Sequence, residues 1–470
     1  MSTEPDRAGP EETYTPIYGP YYPPDLNYLL EESKEAYRNT PERPDYPEKT
    51  VPPGWPTRLP PSKMVWDAET FPTDNSHIIE LTPAEVEEVD AALRLVLELN
   101  LPHAQVTKDS FPLPTLGPRL EAGCHSVHFE LGLCFVTGIP SDKYTADENL
   151  LVLLGISSYF GETRGKQRDD GSRLIHIFHT LSHSLPQNLS PIFNNHAQVF
   201  HNDMTTDILC MYCVSAAERG GVNEYASFYR IYNYLAEERP DVIWTLKSED
   251  WPFDTWGYEE GWHWRALLFC VDEDEDGGDG DEEEEEEEEG ERTPRASVLN
   301  SPVDNRFPEA ITEYKEEEEK KKGEGRKRII ASLSPRQLCG SKVHPREAKI
   351  PTLTPRQKEA LELLESLCQK FSIKHTLSSG SFVFLNNLSI LHNRSAYFDG
   401  PEKPVERYRH LIRLFLRNED LAWPTPKGLL LDWGRVFGDF GGEERWTADK
   451  ERDFRDQQRA SIFRVPEGDT

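Results

Sequence analysis

Phe200-His201-Asn202-Asp203-Met204-Thr205, running into the apolar Ile208-Leu209-Cys210-Met211-Tyr212-Cys213-Val214, is the stretch whose reading decides this chain. At the entrance to a strand, residues two apart point to the same side of the backbone. An imidazole nitrogen of His201 and a carboxylate oxygen of Asp203 can therefore hold one ion. The spacing alone is a weak signal, since roughly one such pair is expected by chance at this composition. It is the only His-x-Asp in the chain, and its weight depends on a third ligand and an anchor for an anion.

Both lie between Ser381 and Arg417. Phe382-Val383-Phe384-Leu385 and Leu388-Ser389-Ile390-Leu391 read as a buried strand ending at His392. After a turn-rich loop (Asp399-Gly400-Pro401-Glu402-Lys403-Pro404) comes Tyr408 to Arg417, a second strand. Alternation puts Arg409, Leu411, Arg413, Phe415 and Arg417 on one side of it, and His410, Ile412, Leu414 and Leu416 on the other. An inward arginine costs desolvation energy unless an anion meets it, and a bidentate carboxylate supplies the hydrogen bonds. Two histidines and one carboxylate on one face, with the opposite face open, form a ligand set suited to ferrous iron.

His201-x-Asp203, the distal His392 and the pair Arg409/Arg413 together resemble the TauD/TfdA (taurine dioxygenase-like, clavaminate synthase-like) group of Fe(II)/2-oxoglutarate oxygenases. Phe111-Pro112-Leu113-Pro114, Cys134 to Pro140, and Leu154 to Gly161 resemble segments of its fungal branch. So do Gly220-Gly221 with Ala226-Ser227, and Asn386 to His392, in the family's order. The resemblance implies a mainly β fold with flanking helices, a double-stranded β-helix or jelly roll. It implies that His201, Asp203 and His392 hold Fe(II), with no catalytic residue needed beyond them. 2-Oxoglutarate would bind through its 1-carboxylate and 2-oxo oxygens, and its far carboxylate would pair with Arg409. Arg413 would sit nearer the iron, against the 1-carboxylate or an anionic substrate. With O2, such a site oxidises an unactivated C–H of a small molecule and releases succinate and carbon dioxide. Two departures stand out. Asn223 occupies the position where the family has a Thr or Ser that donates to 2-oxoglutarate, and an amide can still donate. Gly380-Ser381 stands where Gly-Asp is usual, at a turn.

Two rival readings share the scaffold. A JmjC-like demethylase is suggested by the acidic tract described below, but that group anchors 2-oxoglutarate with a lysine, whereas two arginines follow His392 here. A non-catalytic binding protein on the same fold is the other.

The 470 residues carry a net charge of -32, unevenly spread. Between Asp272 and Glu289 there are 15 carboxylates and no base. No basic face points to nucleic acid, and oligomeric state is left open. Seven cysteines scattered over the chain do not form a disulfide framework, and Cys210 and Cys213 read as buried thiols in a strand. Neither a signal peptide nor an apolar run of membrane length is present, so a soluble cytoplasmic protein is expected, with the nucleus as the alternative.

Four parts are expected: a Pro/Tyr-rich arm (1–60), the oxygenase domain (61–271 and 327–445), a charged insertion (272–326) and a charged tail (446–470). The arm holds 13 of the 37 prolines and one possible helix at Asp25–Arg38, and it is expected to wrap the core. Like-charged blocks cannot bury a core, so the insertion reads as a disordered surface loop. Such a tract can bind a basic protein, though a solvated spacer is the default. Thr82-Pro83-Ala84-Glu85 is a capping box opening a helix with the stripe Val86, Val89, Leu93, Val96 and Leu97. Leu133–Thr137 reads as the first core strand, Asp147–Tyr159 as a helix, and Leu353-Thr354-Pro355 opens another with Ala360, Leu363, Leu364 and Leu367 buried. His176, His179, His183, His196 and His128 read as packing or cleft residues rather than a second metal site. The tryptophans at 251, 256, 262 and 264 read as a lid.

Overall fold

The computed structural model describes residues 46–168, 170–179, 191–203, 205–254, 261–272, 327–340, 346–438 and 442–455. The first strands are β1 (Ile78–Glu80), β2 (Leu133–Thr137), β3 (Thr163–Arg164), β4 (Leu174–Phe178), β5 (Gln198–His201) and β6 (Ile208–Ser215). Then come β7 (Arg219–Gly220), β8 (Asn223–Ser227), β9 (Trp251–Asp254), β10 (Trp262–Arg265), β11 (Leu268–Asp272) and β12 (Lys327–Ala331). The last are β13 (Ile373–His375), β14 (Ser381–Asn386), β15 (Ile390–Arg394), β16 (Tyr397–Phe398) and β17 (His410–Arg417). The helices are α1 (Pro83–Leu99), α2 (Leu116–Phe129), α3 (Ala146–Ser158) and α4 (Phe228–Glu238). They continue with α5 (Pro240–Lys247), α6 (Pro335–Cys339), α7 (Pro355–Phe371) and α8 (Leu430–Phe437).

Two sheets face each other. The larger has seven strands in the order β1-β2-β14-β6-β17-β3, with β4 also paired to β17. The smaller runs β13-β8-β15-β5. Leu209, Met211, Val383, Leu411 and Phe415 from the larger sheet meet Tyr225 and Ile390 from the smaller in one apolar layer. The alternate residues Cys210, Tyr212, Ile412 and Leu414 pack outward against α1, α2 and α3. On the far side, Phe200, Ala226 and Leu391 pack against α4, α5 and α7. Period-two alternation in strands buried on both faces thus builds four layers. Among the described residues the two sheets remain separate, and no closed barrel forms.

Several local expectations need correction. The stretch Phe382 to His392 is two strands, β14 and β15, in different sheets. Asn386, Asn387 and Ser389 interrupt it with a turn in which the Asn386 side chain accepts the Leu388 N–H at 3.0 Å. In α1 the capping box forms as expected, but Leu97 is 46% exposed. The buried face is set by Val89, Ala92, Leu93 and Val96, and Leu97 lies off it. In α7, Ala360, Leu364 and Leu367 are buried and Leu363 only partly. Trp251 belongs to the core rather than a lid, while Trp264 is half exposed. The helix expected at Asp25–Arg38, His183 and Trp256 lie outside the described residues.

The first and last described segments also pack. Tyr46 bonds Glu359 on α7, Trp55 stacks on Tyr232, and the Leu59 N–H donates to Asn233. The segment after Glu444, expected to be a charged tail, is docked as far as residue 455. Phe454 is buried against Phe178 and Phe193, and Asp453 pairs with Arg168 at 2.5 Å. One aromatic anchor and one buried carboxylate outweigh its charged composition. The insertion leaves from Asp272 and returns at Lys327, which are register partners at the end of the β11–β12 hairpin. Residues between them lie outside the described set. No helix among the described residues is long and apolar enough to cross a membrane.

Gly380 shows why its turn tolerates Ser381 but not a side chain one position earlier. Its φ is +78°, and an added Cβ would meet the Ile139 carbonyl oxygen at 1.8 Å. Gly380→Ala is expected to cost at least about 2 kcal/mol, read as a lower urea midpoint at unchanged slope.

Candidate functional site

β5 is an edge strand of the smaller sheet, and α7 covers it: the Phe200 N–H donates to the Glu365 carboxylate at 3.1 Å. Phe200 points out to the helices, so His201 points in. In the antiparallel pairing of β5 with β15, His201 and His392 are direct register partners, with ring centroids 4.4 Å apart. Asp203 is not on a strand. It sits in the loop between β5 and β6, with an oxygen 3.9 Å from His201 Nε2.

Two asparagines hold that loop. The Asn202 amide donates to the Asn387 and Ile390 carbonyls at 2.7 and 3.1 Å and accepts the Leu333 N–H at 2.9 Å. The Asn387 amide accepts the Asp203 N–H at 3.0 Å and donates to the Asp203 and Thr206 carbonyls at 2.5 and 3.1 Å. The turn that separates β14 from β15 therefore also clamps the backbone of Asp203. The sequence quoted Asn387 inside a motif, but nothing local assigned it this role. Asn387→Ala should weaken metal binding by about 10- to 100-fold, measured by anaerobic titration, with the fold retained.

His201, Asp203 and His392 each present a ligand atom, all within 4.8 Å of one another. Val199 O can only accept, so the 2.8 Å bond to His201 Nδ1 makes that nitrogen the donor and turns Nε2, the other candidate ligand atom, toward Asp203. Burial, together with nearby His201, lowers the His392 imidazole to about 3, so it is neutral, and its buried Nδ1 has no hydrogen-bond partner among the described residues. Burial raises the Asp203 carboxyl, but Arg413, His392 and His201 outweigh it and hold it below the usual carboxylate range. Two imidazoles and one carboxylate fit a divalent first-row cation.

Arg413, inward on β17, places Nη1 3.0 Å from Asp203 Oδ1. Arg409, two strand steps away, is buried, with its guanidinium carbon 4.7 Å from the Tyr397 ring centroid. Gly221, at φ +70°, makes room for it, since a Cβ there would stand 3.3 Å from Arg409 Nε. Asn223 heads β8 and is buried. Arg409 Nη1, the Asn223 amide nitrogen and the Tyr225 hydroxyl, all buried, have no hydrogen-bond partner among the described residues. Tyr225 gave no signal in sequence because an aromatic at a strand's inward position reads as core. Such donors are costly unless an acceptor meets them, and a carboxylate is the acceptor a guanidinium and an amide share.

The remaining candidates separate from this group. His176 is fully buried and bonds His410 and the Thr447 carbonyl, each at 2.7 Å. His128 bonds the Cys124 carbonyl, and Cys210 and Cys213 are free buried thiols. His201, Asp203 and His392 are the one metal-competent cluster among the described residues.

Residues 99–415 match the family described as taurine catabolism dioxygenase TauD, TfdA family. The chain is 30% identical over 381 residues to the taurine hydroxylase-like protein SAT17 of Stachybotrys chartarum, covering 80% of this chain and 84% of that one. It is 24% identical over 157 residues to the FR-33289 synthase of Streptomyces rubellomurinus, covering 33% and 46%. Among solved structures, an asparagine oxygenase in complex with Fe(II), 3-hydroxyasparagine and succinate superposes with a TM-score of 0.47 at 14% identity, over 72% of this chain and 93% of that one. The family match over most of the chain and the fungal relative along nearly its whole length agree with the residues assembled above. This chain belongs to the TauD/TfdA family and is an Fe(II)- and 2-oxoglutarate-dependent oxygenase, using O2.

Proposed function

We propose that His201, Asp203 and His392 hold the Fe(II), on a scaffold that is a double-stranded β-helix, and that Arg409 and Asn223 take the far carboxylate of 2-oxoglutarate. The observation that carries this reading is the convergence of the three ligand atoms within 4.8 Å in a fold where one buried guanidinium donor, Arg409 Nη1, has no hydrogen-bond partner among the described residues. Bound iron would supply the oxidation of an unactivated C–H of a small molecule: 2-oxoglutarate would lose carbon dioxide and take up one oxygen atom of O2 to leave as succinate, and the other oxygen atom would go to the substrate or leave as water.

The chain's own residues set the geometry and keep water out. Val199 orients the His201 ring, and Asn202 and Asn387 hold the Asp203 backbone. Ile175, Ile177, Leu411 and Phe415 line the apolar layer between the sheets. In such surroundings an anchored carboxylate and its guanidinium attract more strongly than in water.

Anaerobic addition of Fe(II) and 2-oxoglutarate to the full chain should produce a weak visible charge-transfer band. Succinate release measured across amines, amino acids, sulfonates and secondary metabolites should then rise above the uncoupled background for one class. A chain that shows no band and releases no succinate with any class would refute the proposal.

A further inference from the structure

Arg413 reaches Asp203 because something holds it there. Gln167 lies in the loop between β3 and β4, 246 residues earlier in the chain. Its side chain commits both polar atoms to this one task. Oε1 accepts the Arg413 Nε–H at 2.8 Å, and Nε2 donates to the Arg413 and Arg173 carbonyls, each at 2.9 Å. An amide with its oxygen and nitrogen both engaged has one orientation. Fixing Nε fixes the plane of the guanidinium, and with it the 3.0 Å approach of Nη1 to Asp203 Oδ1.

The loop is itself stitched down. The Gly165 N–H donates to the Phe415 carbonyl on β17, and the Lys166 N–H to the Val436 carbonyl on α8, each at 2.8 Å. The Arg445 N–H donates to the Gly171 carbonyl and the Arg173 N–H to the Arg445 carbonyl, while Arg168 pairs with Asp453. Gln167 therefore stands on backbone tied to the strand that carries Arg413, to α8 and to the docked segment before residue 455.

We propose that Gln167 is a positioning residue of the metal centre: by locking the Arg413 guanidinium it sets the orientation of the Asp203 carboxylate. The inference rests on the assignment of Asp203 as a ligand. Carboxylate ligands are held in register by the groups that hydrogen-bond them, and loss of such a partner weakens metal binding by about 10- to 100-fold. A Gln167 that merely braced its loop would change stability and leave the metal site alone.

The test is an anaerobic Co(II) titration of the full metal-free chain, read by the visible absorbance of the bound ion. Wild type, Gln167→Met, Arg413→Met and the double variant are compared, with thermal melts in parallel. Gln167→Met should weaken Co(II) binding about 10-fold. Arg413→Met should weaken it at least as much, and the double variant no further, because the first residue acts through the second. Additive losses, or an affinity unchanged in Gln167→Met whatever its melting temperature, would overturn the inference. If Gln167→Met does not accumulate as folded protein, Arg413→Lys decides. It keeps the charge but has no Nε for Gln167, and wild-type affinity in it would also overturn the inference. Equal Co(II) binding by wild type and His201→Ala would remove the ligand assignment and this inference with it.

Discussion

Asp203→Ala and His201→Ala should each abolish the charge-transfer band that wild type shows with Fe(II) and 2-oxoglutarate, and lower succinate release by at least about 10³-fold, on the order of 4 kcal/mol. The reason is electrostatic as much as geometric. Asp203 is the anionic member of the cluster, and without it two imidazoles alone would face a dication beside the Arg413 guanidinium. His201→Ala removes the ring whose Nδ1–H is committed to Val199 and whose other nitrogen faces Asp203. Asp203→Asn keeps the shape and removes the charge, so it should resemble Asp203→Ala rather than wild type. Bands of equal strength in wild type and variants would place the metal elsewhere.

Arg409→Ala should raise the 2-oxoglutarate concentration needed for half-maximal turnover far more than Arg413→Ala does. Removing one partner of a buried hydrogen-bonded charge pair costs about 2–5 kcal/mol, or roughly 30- to several-thousand-fold. Arg409 is buried with an open donor over Tyr397, whereas Arg413 is already engaged by Asp203 and Gln167. Loss of Arg413 should appear first in metal affinity, and loss of Arg409 in co-substrate affinity at unchanged metal affinity. Equal effects on 2-oxoglutarate would mean that the two arginines share the far carboxylate.

How much of this site was legible depended on whether each signal was local. His201 and Asp203 stand two apart beside an apolar run, and Arg413 lies on one face of the alternating strand β17, with Arg409 immediately before its first residue. Period two survives folding when both faces of a sheet are buried, so these residues could be placed by counting. The exception is instructive: Asp203 lies in a loop, and its side chain reaches the same point because two asparagines hold the backbone there. The alternation argument picked out a residue that the structure does bring beside His201 and His392, but for a reason that only half applies.

Sequence by itself determined the two faces of β17, the helix starts at Thr82 and Thr354, and the candidate ligands. These follow from hydrophobic periodicity and capping, which act over a few residues. Tertiary structure alone decided that His392 faces His201 across β5 and β15, that Phe382 to His392 divides between two sheets, and that residues 445–455 are docked. It alone brought Asn387 and Gln167 to the candidate metal site. Register between distant strands is set by the whole buried layer, and an amide side chain can pair with any backbone group that folding brings near it. Neither leaves a pattern along the chain.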